Sequence, residues 1–202
     1  MTRFPLLGLS RLRMQTDGTG VTTLVAGAGC PLSCKWCINR RILSEKRAEF
    51  LSPQELFARV RCDDLYFRAT GGGVTFGGGE PLLHAAFLAE FRALCPDWRL
   101  TVETSLNVAP ELLAQCEKAA DEFIVDIKDW DETVYYAYTG HSGAQARENL
   151  RHLLMDCPAK IHVRVPLIPQ FNTPEQQSAT AAALGALGVE NIELFSYVLR
   201  EK

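Results

Sequence analysis

Apolar residues fall into short runs along the chain, separated by polar or glycine-marked stretches. Six runs read as strands: VTTLVA at 21–26, GVTF at 73–76, RLTVE at 99–103, FIVDIK at 123–128, KIHVRVPLI at 160–168 and NIELFSY at 191–197. They combine β-branched and aromatic residues with the length of a buried strand. Between them the apolar spacing changes to three and four, which is the helical period. Ser52-Pro53-Gln54-Glu55 reads as an N-cap, a proline in the first turn and a capping-box glutamate, and Thr173-Pro174-Glu175-Gln176 repeats the device. Segments 81–94, 110–119 and 147–155 supply the other helices.

Strands alternating with helices argue for a parallel sheet covered by helices, because parallel neighbours need long crossovers. The class expected is α/β. Six units are too few for a closed eight-stranded barrel, so the expected architecture is a partial (β/α)6 TIM-like barrel: an open parallel six-stranded sheet with outer helices, its site at the C-terminal ends of the strands. No fixed-period repeat, low-complexity stretch or linker divides the chain, and residues 1–202 are expected to form a single domain.

Composition narrows the functional classes. A chain of 202 residues with 47% hydrophobic and 22% charged residues has the make-up of a globular protein. Its net charge is −3 and no basic run exceeds a pair such as Arg40-Arg41, so nucleic acid is not an expected partner. The N-terminal residues MTRFPLLGLSRLRM lack a signal peptide's apolar core, and no run approaches the ~18 residues of a membrane span. The location expected is cytoplasmic, with no membrane partner. Seven cysteines in such a setting point to metal or redox chemistry before disulfides.

Three of them follow the first strand directly, in Cys30-Pro-Leu-Ser-Cys34-Lys-Trp-Cys37, on a loop that Gly27 and Gly29 allow to turn. Cubane iron-sulfur clusters are normally held by four cysteines, so three would leave one iron open to an external ligand. Zinc would need a fourth ligand from His84, His141, His152 or Cys62, none of which has the local spacing. A noncatalytic zinc-binding scaffold and plain packing cysteines are the competing readings. The second strand runs into Gly77-Gly78-Gly79-Glu80, a stretch that a ligand can approach closely, with a carboxylate beside it. Asp126 and Lys128 lie two apart on one strand and so share a face.

The cysteine spacing, with Trp36 just before the last thiol, resembles the signature of the radical S-adenosylmethionine (radical SAM) superfamily. That resemblance implies a [4Fe-4S] cluster on Cys30, Cys34 and Cys37. Its open iron would chelate S-adenosylmethionine, whose reductive cleavage gives a 5′-deoxyadenosyl radical that abstracts a hydrogen atom. Residues 17–197 are similar, more narrowly, to the glycyl-radical enzyme activating enzymes, the pyruvate formate-lyase type among them. The similarity lies in Asp17-Gly18-Thr19-Gly20-Val21, Cys37-Ile38-Asn39-Arg40, Gly71–Thr75 with the Gly-Gly-Glu segment, Asp126-Ile127-Lys128 and Arg164-Val-Pro-Leu-Ile-Pro169.

Carried over, the resemblance implies a cofactor site of Trp36, Cys37, Ile38, Gly78, Gly79, Glu80, Glu103, Asp126, Ile127, Lys128 and Arg164. In it Gly78–Glu80 hold the methionyl amino group, Asp126 accepts from that amino group, Lys128 neutralises the carboxylate, Glu103 stands near the ribose and Trp36 walls the adenine. It further implies a monovalent cation site at Glu103, Thr104 and Asp126, a glycyl-radical enzyme as transient partner, and reduced flavodoxin or ferredoxin as electron donor. Radical SAM enzymes acting on a small molecule or a ribosomal peptide are the alternative within the superfamily. The chain departs from the pyruvate formate-lyase type where Tyr197 is followed by Val198 rather than histidine, and it ends at Lys202, earlier than fuller members. Cys62 alone stands between Cys37 and Gly71, so one cluster is expected. Cys62, Cys95, Cys116 and Cys157 read as packing residues.

Overall fold

The computed structural model describes residues 2–14, 16–45 and 47–198; Lys202, where the chain ends, lies outside them. In chain order the elements are β1 (Phe4–Met14), β2 (Val21–Gly27), α1 (Arg40–Glu45), β3 (Glu49–Leu51), α2 (Pro53–Val60), α3 (Asp64–Thr70), β4 (Gly73–Gly78), α4 (Ala85–Arg92), β5 (Arg99–Thr104), α5 (Pro110–Glu117), β6 (Glu122–Asp126), α6 (Glu132–Thr139), α7 (Ala144–Asp156), β7 (Ile161–Leu167), α8 (Pro174–Ala186) and β8 (Ile192–Ser196). The strand order is β3-β1-β2-β4-β5-β6-β7-β8, an open sheet. The pairs β2–β4, β4–β5 and β7–β8 are parallel, and β1 runs antiparallel to both β2 and β3. The six strands read from the sequence are β2 and β4 to β8. Strands β1 and β3 are additions to that reading.

Contacts divide the chain into two compact units. The first comprises Met1–Cys30, Asn39–Thr104 and Val108–Ile124. Its core is aromatic: Phe4, Phe76, Phe87 and Phe91 are all but fully buried, and the Phe4–Phe76 and Phe76–Phe91 ring centroids lie 5.4 Å apart edge to face, the arrangement the ring quadrupoles favour. Helix α2 starts where the sequence placed it. Glu55 N donates to Ser52 Oγ at 3.3 Å and Ser52 N donates to Glu55 Oε2 at 2.7 Å, so two otherwise unpaired helix donors are satisfied reciprocally.

The second unit comprises Pro31–Ile38, Ser105–Asn107 and Val125–Lys202. Leu150, Leu153, Val163, Val165, Ile168 and Leu184 fill its core. Helix α8 begins with the second capping box, Thr173 with Gln176. Helix α6 was not read from the sequence. It is opened by Asp131, whose Oδ1 accepts from Thr133 N at 2.7 Å and Val134 N at 3.1 Å, and closed by Gly140 at φ 76° in the left-handed region. Its last carbonyls, which have no partner within a helix, accept from the cysteine-bearing loop: Ser33 N donates to Thr139 O at 2.9 Å and Lys35 N to Tyr138 O at 3.0 Å.

Candidate active site

Residues of the first unit near the strand ends are organised by β4. The chain leaves β4 through Gly78 at φ +87°, a conformation an L side chain rarely takes. Gly79 N then donates to Gly27 O at 3.0 Å and Glu80 N to Gly29 O at 2.8 Å, so the Gly-Gly-Glu segment is stitched to the loop after β2 that carries Cys30. The approach is close: a Cβ on Gly79 would stand 2.1 Å from Gly29 O. Backbone lies on both sides of this contact, so it cannot be relieved by a rotamer change. Gly79→Ala is therefore expected to destabilise the protein by about 1–3 kcal/mol or more, the range for overpacking, read as a fall in the urea midpoint at unchanged slope.

Glu80 does not present its carboxylate outward. It is buried, accepts from Thr104 Oγ1 at 2.7 Å, and caps the short 3₁₀ turn Pro81–His84 by accepting from Leu82 N at 3.2 Å. Thr104 is thereby turned toward Glu80. The Glu103 carboxylate lies against Gly77, where a Cβ would come within 2.7 Å of Oε2. Asn39 Nδ2 donates to Gly78 O at 2.7 Å, a backbone contact the sequence did not signal. Cys30 is exposed. Of the residues considered as further zinc ligands, His84 bonds through Nε2 to Ala28 O at 3.1 Å and Cys62 to Arg59 O at 3.3 Å.

In the second unit Cys34 and Cys37 are half-buried on one turn, Cys37 N donating to Cys34 O at 3.3 Å. Neither they nor the other five cysteines form a disulfide. Trp36 donates from Nε1 to Pro169 O at 3.1 Å and meets the Phe171 ring edge to face at 6.4 Å. Ile38, expected beside a cofactor, is 92% exposed. Just past the end of β6, Lys128 Nζ donates to Asp126 Oδ2 at 3.0 Å and to Tyr197 Oη at 3.3 Å. Asp126 Oδ1 is buried and has no hydrogen-bond partner among the described residues. Between them Ile127 is buried, its N–H donating to Arg164 O at 3.0 Å. The Arg164 side chain is directed at Glu193, opposite it in the β7–β8 register, with Nε 3.1 Å from Oε2. Tyr197 was noted in the sequence only for its neighbour; here it is the second partner of Lys128, and its ring lies 6.2 Å from that of Tyr138.

Charge is arranged to match. Burial pulls the Lys128 ammonium down, but Asp126, with Tyr197, Cys34 and Tyr138, outweighs it and lifts the group well above the ordinary lysine value. Burial pushes the Cys34 thiol up, while Lys128 draws it back toward the thiolate. A fixed cation thus faces a thiol that carries negative charge once a metal takes it.

Residues 24–179 match the family described as the Radical SAM superfamily. The chain belongs to the radical SAM superfamily. Within it, it is similar to activating enzymes: it is 31% identical to the pyruvate formate-lyase-activating enzyme of Listeria monocytogenes, over 90% of this chain and 77% of that one. It is 28% identical to the pyruvate formate-lyase 2-activating enzyme of Escherichia coli, over 90% and 73%. This places it in the glycyl-radical activating branch, as a radical SAM enzyme. The fold agrees with that of Streptococcus suis SuiB bound to S-adenosylmethionine, at a TM-score of 0.64 with 14% identity, covering 89% of this chain and 39% of that structure. The α/β class and the open sheet expected from the sequence are those of this fold; the six parallel strands expected are extended to eight by β1 and β3, β1 pairing antiparallel, so the sheet is mostly parallel.

Radical SAM enzymes use a [4Fe-4S] cluster and S-adenosylmethionine. The residues of this chain suit the second of these. A methionyl end brings an ammonium and a carboxylate, and the second unit holds a buried, donorless oxygen on Asp126 beside the buried cation of Lys128. Cys34 and Cys37 form no disulfide, as ligation of a cluster requires. No helix among the described residues is long and apolar enough to cross a membrane.

Proposed function

We propose that this radical SAM protein activates a glycyl-radical enzyme. In this reading Cys30, Cys34 and Cys37 hold a [4Fe-4S] cluster, and the site lies around Gly78, Gly79, Glu103, Asp126, Lys128 and Trp36. When bound, the cluster and S-adenosylmethionine supply reductive cleavage to a 5′-deoxyadenosyl radical, which takes a hydrogen atom from a glycine Cα of the partner. The reading rests on one observation above all: the Asp126–Lys128–Tyr197 group, with an unsatisfied carboxylate oxygen next to a buried ammonium.

The chain's own residues would bind, orient and exclude. Lys128 neutralises the methionyl carboxylate and is held for it by Asp126 Oδ2 and Tyr197. Asp126 Oδ1 accepts from the amino group, for which the Gly78–Gly79 backbone is the other proposed partner. Glu103 stands toward the ribose and, with Thr104 and Asp126, is the proposed monovalent cation site. Trp36 covers the adenine. Glu80 acts by holding the glycine segment in place through Thr104 and Leu82 N. Arg164 and Ile127 contribute through the backbone bond that joins them. Reduced flavodoxin or ferredoxin is the proposed donor, in a cytoplasm that keeps thiols reduced.

The test is anaerobic reconstitution with iron and sulfide, then incubation with S-adenosylmethionine and dithionite. Formation of 5′-deoxyadenosine is expected, and a glycyl signal in electron paramagnetic resonance when a co-encoded glycyl-radical enzyme is present. One zinc and no sulfide in the anaerobically purified protein would overturn the cluster. Cofactor cleavage without a glycyl signal in any such partner would overturn the activase.

A further inference from the structure

The turn after β7 carries a side-chain network that the proposed chemistry does not use. Asn172 is almost wholly buried. Its Oδ1 accepts from Ile168 N at 2.6 Å, and its Nδ2 donates to Pro166 O at 3.1 Å and to Asp129 Oδ2 at 3.0 Å. Three of its four hydrogen-bonding positions are thus filled. Asp129, also buried, accepts through Oδ1 from Asp131 N at 2.9 Å and from Thr180 Oγ1 at 3.2 Å. One side chain therefore closes the turn 168–172 from inside, and the other ties it to the start of α6 and to α8. The turn is strained as well as tied: Gln170 sits at φ 72°, which a non-glycine residue keeps only where its surroundings over-determine it.

What the turn presents is aimed at one residue. Pro169 O accepts the Trp36 Nε1–H at 3.1 Å, and the Phe171 ring meets Trp36 at 6.4 Å and the buried Tyr138 at 5.2 Å, edge to face in both cases. Trp36 adjoins Cys37 and is 37% exposed, so its indole is gripped at the edge and leaves ring surface open. Closing a turn does not by itself require a carbonyl placed for an indole 133 residues away.

We propose that Asn172 and Asp129 are positioning residues, which set Trp36 through the Pro169–Phe171 turn so that its ring receives the adenine of the cofactor. The adenine part rests on the function proposed above; the setting of Trp36 does not. Loss of Asn172 releases the turn, lets the indole rotate and weakens cofactor binding while leaving the cysteines alone.

The experiment has two arms. In protein labelled with 5-fluorotryptophan and free of cluster, the ¹⁹F resonance of Trp36 is identified by its absence in Trp36→Phe. Asn172→Ala is expected to shift or broaden that resonance and leave that of Trp98 unchanged; an unmoved Trp36 signal would overturn the positioning role. Asp129→Ala, which removes the acceptor of the Asn172 Nδ2 bond, is the second variant should Asn172→Ala not fold, and must move the same signal. In reconstituted protein, Asn172→Ala is expected to raise the KM for S-adenosylmethionine roughly five- to tenfold, the scale of one lost hydrogen bond, with kcat and iron content kept. In a Trp36→Phe background it adds no further rise. Independent, additive losses would overturn action through Trp36. A wild-type protein that assembles no cluster would sink the proposed function, while the ¹⁹F arm still decides the positioning.

Discussion

Cys34→Ala is expected to take the iron content from about four per chain to near zero and to abolish 5′-deoxyadenosine formation. Alanine leaves the loop two thiols, and a cubane held by two side chains in water has no means of staying in place. The fold should survive. The turn at this position is made by main-chain atoms, Cys37 N to Cys34 O and the amides of Ser33 and Lys35 to the end of α6, which alanine leaves untouched. Anaerobic iron and sulfide analysis, with circular dichroism as the fold control, checks the result. Full iron in the variant would remove Cys34 from the ligand set.

Lys128→Met is expected to leave the iron in place and lower the affinity for S-adenosylmethionine roughly ten- to a hundredfold, the worth of a hydrogen bond to a charged group. Methionine matches the buried stem and removes only the charge, so packing is kept. The change also strands Asp126, and a partly buried carboxylate without its cation costs stability. Adding Asp126→Asn should therefore restore stability without restoring affinity, a split that a purely structural pair would not give. Isothermal titration of the reconstituted variants measures both effects, and equal affinity in wild type and Lys128→Met would refute the assignment.

The pH sign follows from the raised ammonium. A lysine lifted above its unfolded value near 10.4 stabilises fully below that value, and the contribution fades only as pH climbs through the higher folded one. Affinity should accordingly show no loss from Lys128 between neutral and mildly alkaline pH.

Much of this was legible because the signals are local. The two capping boxes were readable since each is four consecutive residues, and six strands were readable as apolar runs ended by glycine or polar turns. The thiol spacing, the glycine run and the Asp126–Lys128 alternation are local too. Strand β1 was not legible: its Leu-rich run holds Pro5 and Gly8, lacks strict alternation, and is broken by two register shifts, while its partner β3 comes some forty residues later. Helix α6 was hidden by its composition, since Thr133, Val134, Tyr135, Tyr136 and Tyr138 favour strands; the cap at Asp131 and burial of Val134, Tyr135 and Tyr138 override that preference. The unread parts of the site are those made by distance, with Lys128 meeting Tyr197 across 69 residues and Trp36 meeting Pro169 across 133.

The manner in which the cysteine loop is held bears on how the sequence can drift. Its anchors on α6 are the amides of Ser33 and Lys35, and an amide is supplied by any residue except proline. Selection for the loop's path therefore places almost no demand on which side chains stand at positions 33 and 35. The same path would be held by any non-proline residue at either position, so the loop's course is carried by the main chain and the interval between the thiols.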